Sequence, residues 1–466
     1  MARDNIPTTR VGRTAKIGGL AAGQAIRQAG THVGNVARTK DGRKAALERR
    51  HIEAAEQIVD ALGHMKGAAM KLGQVMSFLD VGLVPEEYRE EFQRKLGKLR
   101  DAAPTVTFKE MRKVIEEEVD EPLKDVFEEF DEEPIAAASI GQVYRARLKD
   151  DGREVAVKVQ YPGVAAAVRA DMQNLGLILR VLKRIAPGMD PKAIGEEIRN
   201  RIEEELDYEL EAQNQRTLAR IFRGHPFIFI PDVVTSLSHE RVMVSEYVDG
   251  ATGFEELKGY PQEDRDRIGE ILFRFYFGCL YRHREFSGDP HPGNSMLMSD
   301  GRMAFLDFGL FKRMPAGAVE LEIAVARAII EGDVETIMRL GTETGFFPDP
   351  QRFKPERVLE HFRAATAWYT VDQYVELTPE YATQVLIDMS DPRSQYFGQL
   401  RHESAPPDHI FGRRMEVLTL AVLSQLHARG SFHRIAREWF YGDHPATELG
   451  RQEAEFYAGG LRPSVR

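Results

Sequence analysis

The chain has 466 residues, 42% of them apolar and 29% charged, with a net charge of −10, a length and balance that allow two or three domains with a sizeable core. A single cysteine, Cys279, excludes a disulfide framework or a cysteine zinc site within one chain; inside the apolar run "RFYFGCLYRH" it reads as a small buried hydrophobe. No apolar run is long enough to cross a membrane as a helix and "KIGGLAAGQAIRQAG" is too interrupted for a signal-peptide core, so a cytoplasmic protein is expected.

Residues 1–47 form a basic arm, the first fifty positions holding eleven Lys/Arg against three Asp/Glu. With Lys16, Arg27, Arg38, Lys40, Arg43 and Lys44 it suits a salt-sensitive, peripheral contact with anionic lipid, or it is a solvated, partly disordered leader. No nucleic-acid partner is expected. Residues 48–125 read as a helical extension, in which Ile58, Leu62, Met65, Leu72, Met76 and Leu79 mostly keep three-and-four spacing along one face. Lys71 and Gln74 lie one helical step apart there and can point together. Further helices are expected after Pro85 and after "TVTF".

From about residue 126 the period becomes strand-like: "QVYRARL" and "EVAVKVQ" predict a hairpin turned by the Asp-Gly of "KDDGR". Helical text follows from about 163 to 222, broken near "APGMDP", and "RVMVSEYV" predicts a strand over 241–248. Residues 126–248 thus read as a small sheet-bearing lobe and residues 249–466 as a helical one. In the latter, the helix "EDRDRIGEILFRFYFGCLYRHREF" leads into "SGDPHPGN", and strands "SMLM" and "MAFLDF" flank the turn "SDG". After Pro315 only helix and loop are expected. The pattern is α+β and bilobal.

The chemistry lies in a series of ordered motifs. A kinase phosphate loop runs G-x-G-x-x-G-x-V; its slots fall on Ala136, Ala138, Gly141 and Val143, with Ala137 and Ser139 completing the loop. Alanine there stiffens the backbone and, in any left-handed conformation, costs about 1–2 kcal/mol. The next strand supplies "VAVK", with Ala156 and, where a kinase places its phosphate-binding lysine, Lys158. A buried lysine needs a carboxylate, and the acidic helix "RIEEELDYELEAQN" offers Glu204, Asp207 and Glu211 near one face. "VMVSEYVDG" reads as an adenine-binding hinge through backbone groups around Glu246 and Val248. Downstream, "GDPHPGN" and "FLDFG" place Asp289, Asn294 and Asp307 in the order D-x-x-x-x-N, D-F-G. Asp289 can orient or deprotonate an attacking oxygen, while Asn294 and Asp307 can hold Mg²⁺ on nucleotide phosphates. His291, between two prolines, reads as a structural hydrogen-bonding residue.

Together these motifs resemble the UbiB family of atypical kinases, the AarF-domain proteins, over about residues 50–315. The resemblance implies a protein-kinase-like fold with a helical N-terminal extension packed over the site. It also implies binding of ATP or ADP with Mg²⁺, ATPase rather than protein-kinase behaviour, and support of quinone (coenzyme Q) biosynthesis. It carries the K-x-G-Q motif onto Lys71, Gly73 and Gln74 and the E-x-D motif onto Glu205 and Asp207, as regulatory residues that close the site to polypeptides. It makes Glu211 the partner of Lys158. Ser287-Gly288-Asp289 stands where protein kinases have H-R-D, and no A-P-E follows Gly309, so a polypeptide-docking platform is not expected. The acceptor is expected to be a small or lipid-like molecule. Three alternatives stand beside this reading: a small-molecule phosphotransferase resembling aminoglycoside and choline kinases, a nucleotide-sensing module without turnover, and a protein kinase acting in trans.

Overall fold

The computed structural model describes residues 106–138, 140–170, 172, 196, 199, 202–390, 394–396, 403 and 407–459. The basic arm, the helical stretch with Lys71 and Gln74, and Ser139 lie outside the described residues. The described chain divides into two units, one running to Tyr208 and taking in Leu237–Val244, the other comprising Glu209–Ser236 and the chain from Ser245 onward.

Helix α1 (Phe108–Val119) starts the first unit because Thr107 and Glu110 form a capping box, the Thr107 amide and hydroxyl donating to Glu110 Oε2 at 3.1 and 2.8 Å. Its apolar face buries Met111, Val114 and Ile115. After α2 (Leu123–Val126) come β1 (Phe127–Phe130), β2 (Ala136–Ala137), β3 (Gly141–Leu148) and β4 (Glu154–Gln160). The sheet runs β1–β3–β4–β6, with β2 on β3; β6 is Val242–Glu246 and follows β5 (Ile228–Phe229) in the chain. β3 and β4 pair antiparallel without a slip from Gly141↔Gln160 to Arg147↔Glu154, and Gly152, at φ +69°, makes their turn. Period-two alternation buries Tyr144, Ala146 and Leu148 with Val155, Val157 and Val159 on one face. The opposite face, with Val143, Ala156 and Lys158, is half-buried.

The expected acidic helix is interrupted, which corrects the placing of Glu204, Asp207 and Glu211 on one helical face. Residues 202–205 are helical, Leu206 and Asp207 are not, and α3 (Tyr208–Ile221) begins afresh. The break has a physical cause in the buried side chain of Gln160, whose amide donates to the carbonyls of Leu206 at 2.8 Å and Glu240 at 3.1 Å. The Tyr208 amide also donates to Glu240, at 3.0 Å, rather than back along the helix.

In the second unit β5, β10 (Met303–Phe305), β9 (Ser295–Leu297) and β7 (Thr252–Gly253) form a sheet in that order. After α4 (Phe254–Leu257), α5 (Gln262–Gly278) buries every residue from Ile271 to Gly278. Phe275 of α5 stacks on Phe305 of β10 with centroids 3.6 Å apart, while Phe273 and Phe277 pack against Trp368. Cys279 is buried, as its apolar setting predicts. Arg274, inside this helix, is buried and bonded to Glu270, Glu438 and Glu453. A π-turn (Cys279–His283) ends the helix, with Arg284 at φ 60°. It delivers the chain to β8 (Glu285–Ser287), which pairs antiparallel with β11 (Phe311–Arg313).

Beyond Pro315 the chain is largely helical: α6 (Ala316–Glu331), α7 (Val334–Glu343), α8 (Pro355–Thr370), α9 (Pro379–Ser390), α10 (Pro407–Gln425), α11 (Phe432–Phe440) and α12 (Glu448–Ala458). The expectation of helix and loop alone is corrected by one small ladder, β12 (Val375–Glu376) against β13 (Arg429–Gly430). Two-residue strands carry no periodicity from which to read them. Among the described residues no helix is long and apolar enough to cross a membrane.

Candidate nucleotide and phosphoryl-transfer site

In the first unit the alanine loop is a tight extension of the sheet. Ala136 pairs with Val143 and Ala137 with Gln142. The Ala138 amide donates to the Gly141 carbonyl at 2.9 Å, and the Gly141 amide donates back at 3.4 Å. The described residues other than glycine with positive φ are Asp120, Arg284 and His427. Ala136, Ala137 and Ala138 are therefore free of the left-handed strain weighed for them above. Gly141 has a different constraint: a Cβ there would stand 2.1 Å from the Val159 carbonyl oxygen and 3.0 Å from Tyr208 Oη. The glycine is needed for the close approach of β3 to β4, irrespective of any phosphate. Across that hairpin Val143 is directly opposite Lys158, whose Nζ lies 4.9 Å from the centroid of the Tyr208 ring. Glu205 and Asp207 are half-buried at the helix break.

The second unit assembles the downstream motifs. The β8–β11 pair sets two loops side by side: the Gly288 amide donates to the Leu310 carbonyl at 2.8 Å, and the Leu306 amide donates to the Asn294 carbonyl at 2.9 Å. Asp289, Asn294 and Asp307, read from spacing alone, thus lie on adjacent loops. Asn294 Nδ2 donates to the Asp289 carbonyl at 3.3 Å, closing the six-residue loop on itself. His291 Nδ1 accepts from the Gly293 amide at 3.0 Å and caps the turn Pro292–Asn294. Asp307 Oδ1 accepts from the Gly309 amide at 3.0 Å. Glu211, buried in α3, belongs to the same neighbourhood, since a Cβ on Gly309 would be 3.5 Å from both Asp307 Oδ1 and Glu211 Oε2. In the stretch read above as a hinge, the Glu246 amide donates to the Asp232 carbonyl at 2.8 Å, and Val248, two residues on, is half-buried.

Three side chains of this neighbourhood were not picked out from the sequence. Asn214 and Gln215 are buried beside Glu211 on α3; Asn214 Nδ2 donates to the Phe308 carbonyl at 3.3 Å and Gln215 Nε2 to Pro231 at 2.8 Å. Polar residues at i, i+3 and i+4 within one helix were the available signal. The third is Arg414 of α10, whose Nη2 donates to Asp289 Oδ1 at 3.0 Å. Nothing in "FGRRMEVL" marks that arginine, which lies 125 residues from its partner.

Cofactor fit follows from donor chemistry. An amide oxygen at Asn294 and a carboxylate at Asp307 are hard oxygen donors, suited to Mg²⁺ completed by phosphate and water. Among the described residues no group of three or more His, Cys, Asp and Glu could hold a metal alone. A cation shared with a nucleotide needs no such cage.

Residues 98–341 match the model of the ABC1 atypical kinase-like domain. Relatives include the mitochondrial atypical kinase coq-8 of Caenorhabditis elegans, 32% identical over 355 residues, which cover 73% of this chain and 46% of the relative. AarF domain-containing protein kinase 1 of Xenopus laevis is 32% identical over 293 residues, 62% of this chain and 55% of the relative. The chain thus spans about half the length of these curated relatives. Among solved structures, Rv3197 of Mycobacterium tuberculosis, in complex with erythromycin, is similar with a TM-score of 0.63 and 31% identity, covering 86% of this chain and 98% of that one.

Proposed function

The chain belongs to the ABC1 family of atypical kinases, the AarF or UbiB group, and on that premise we propose that it binds ATP or ADP with Mg²⁺ and transfers the terminal phosphoryl group to water or to a small or lipid-like acceptor. The observation that supports this most is the backbone bond between Leu306 and Asn294, which keeps the Asp307 and Asn294 loops in contact beside Asp289. Lys158 contributes charge for the nucleotide phosphates, and the Val248 backbone meets the adenine edge. Mg²⁺, held by Asn294 and Asp307, supplies charge neutralisation at the phosphate oxygens. Asp289 orients the acceptor hydroxyl and takes its proton as the acceptor oxygen bonds to the γ-phosphorus; the bond from that phosphorus to the bridging oxygen breaks and ADP leaves.

Lys71, Gln74, Glu205 and Asp207 are the residues through which polypeptide access is restricted, in this reading. The family resemblance favours quinone or related lipid metabolism as the setting. A peripheral, cytoplasmic-side contact of the basic arm with anionic lipid accords with it. A second reading draws on the erythromycin complex of Rv3197, and makes a macrolide-like compound a ligand of this chain. Phosphate release from Mg·ATP tests the main proposal: the parent is expected to turn over, and Asp307→Asn or chelation of Mg²⁺ to abolish turnover. Equal rates in parent and Asp307→Asn would overturn it. A thermal shift with erythromycin but none with nucleotide would favour the second reading.

A further inference from the structure

The loop from Asp289 to Asn294 reads Asp-Pro-His-Pro-Gly-Asn and contains no lysine or arginine. A cation nevertheless stands at its first residue. Arg414 Nη2 donates to Asp289 Oδ1 at 3.0 Å, with the arginine side chain 18% exposed and the aspartate 31%. That shielding sets the pair apart from the exposed surface pairs of this chain, which contribute little. Buried residues flank Arg414 in the helix that delivers it, Gly412 before it and Met415 after it. Met415, Thr419, Leu420 and Leu423 of α10 are buried, and the preceding Arg413 is tied to Glu416 at 3.2 Å. A side chain on such a helix is held more closely than one on a loop.

We propose that Arg414 is a positioning residue for Asp289: it fixes one carboxylate oxygen, Oδ1, so that Oδ2 faces the acceptor. Among the described residues Oδ2 accepts no hydrogen bond, and it is the atom left to receive the acceptor proton. Among the described residues, the aspartate is otherwise steered through its backbone, by Asn294 at its carbonyl and by Ser287 Oγ at its amide. Without Arg414 the carboxylate rotates about its side-chain torsions, and proton transfer loses its alignment while nucleotide contacts on other residues persist. This inference rests on the phosphoryl-transfer reading above and adds a residue to it.

The test compares the full chain with Arg414→Ala, Arg414→Gln, Arg414→Lys, Asp289→Asn and the Asp289→Asn/Arg414→Ala double variant, each first checked for parent-like thermal unfolding. Arg414→Ala is expected to lower kcat for phosphate release by about 10–100-fold while KM for ATP and the calorimetric Kd for Mg·ADP stay within about twofold. Arg414→Lys recovers part of the loss, and Arg414→Gln carries the comparison should the alanine variant not fold. In the Asp289→Asn background, Arg414→Ala adds less than about a twofold further loss, because the two act as one unit. Parent-like kcat in Arg414→Ala, a change confined to KM, or fully multiplicative losses in the double variant would each overturn the inference. A parent that releases no phosphate overturns the proposed function and this inference together; a parent that does, beside a silent Arg414→Ala, overturns the inference alone.

Discussion

Replacing Gly141 with alanine places a methyl carbon 2.1 Å from the Val159 carbonyl oxygen, 0.9 Å inside the 3.0 Å that real Cβ contacts respect. The atom it meets is backbone, one pair in from the end of the best-paired hairpin of the first unit, so no side-chain rotation relieves the clash. Tyr208 Oη, at 3.0 Å, closes the other route of escape. Either β4 shifts or the Gly141↔Gln160 end of the ladder opens, and overpacking of this kind costs about 1–3 kcal/mol or more. Urea unfolding monitored by far-UV circular dichroism should show a midpoint lowered accordingly at unchanged slope. Lys158 lies across from Val143 two residues along the same ladder, so nucleotide affinity should fall as well. A Gly141→Ala variant with the parent's midpoint and affinity would refute the claim that this glycine serves strand approach.

Ala138→Gly should leave the fold in place while shifting the ratio of ATP to ADP affinity, because Ala138 stiffens a turn closed by its own bonds to Gly141; calorimetry with both nucleotides checks this, and an unchanged ratio counts against it. His225 gives a pH dependence of stability. Its side chain is buried, and Nδ1 accepts from the amides of Phe227 at 3.5 Å and Ile228 at 3.2 Å. Burial above all, then the charges of Arg282, His283 and Arg274, hold its pKa down at about 3. The unfolded chain titrates near 6.5, so it binds more protons between these values. This contribution is complete above about pH 6.5 and lost at up to about 1.4 kcal/mol per pH unit on acidification. Urea midpoints at pH 7 and pH 5 should show the fall, and His225→Gln should reduce it, leaving the part that comes from His283, which burial likewise holds down at about 4. Arg274→Met leaves the carboxylates of Glu270, Glu438 and Glu453 without their shared cation. It should destabilise the chain by about 3–5 kcal/mol, and a parent-like unfolding midpoint would contradict that.

What was legible in the sequence was local. The hairpin of β3 and β4 shows in strict alternation around an Asp-Gly turn, and α5 in a long apolar helix pattern. Asp289, Asn294 and Asp307 stand out because their spacing falls within short loops, which the structure sets side by side. Features set by distant partners were not legible. The break at Leu206 and Asp207 is made by Gln160 and Glu240, far away in the chain. The β8–β11 pair spans three residues a strand, too few to show a period. Arg414 reaches Asp289 only because α10 folds back against α5. Gly141 was legible as a glycine slot, but its reason, the approach of Val159, is a property of the folded hairpin.

In the proposed site a divalent cation is held by Asn294 and Asp307 only together with a nucleotide. Equilibrium dialysis with Mn²⁺, reading the metal in excess in the protein compartment over protein-free buffer at the same ATP concentration, measures this. The parent should take up Mn²⁺ when ATP is present at stoichiometric amounts and not in its absence, and Asn294→Ala and Asp307→Asn should each weaken this uptake by about tenfold or more. Equal uptake by the parent and both variants, or uptake indifferent to ATP, would contradict it.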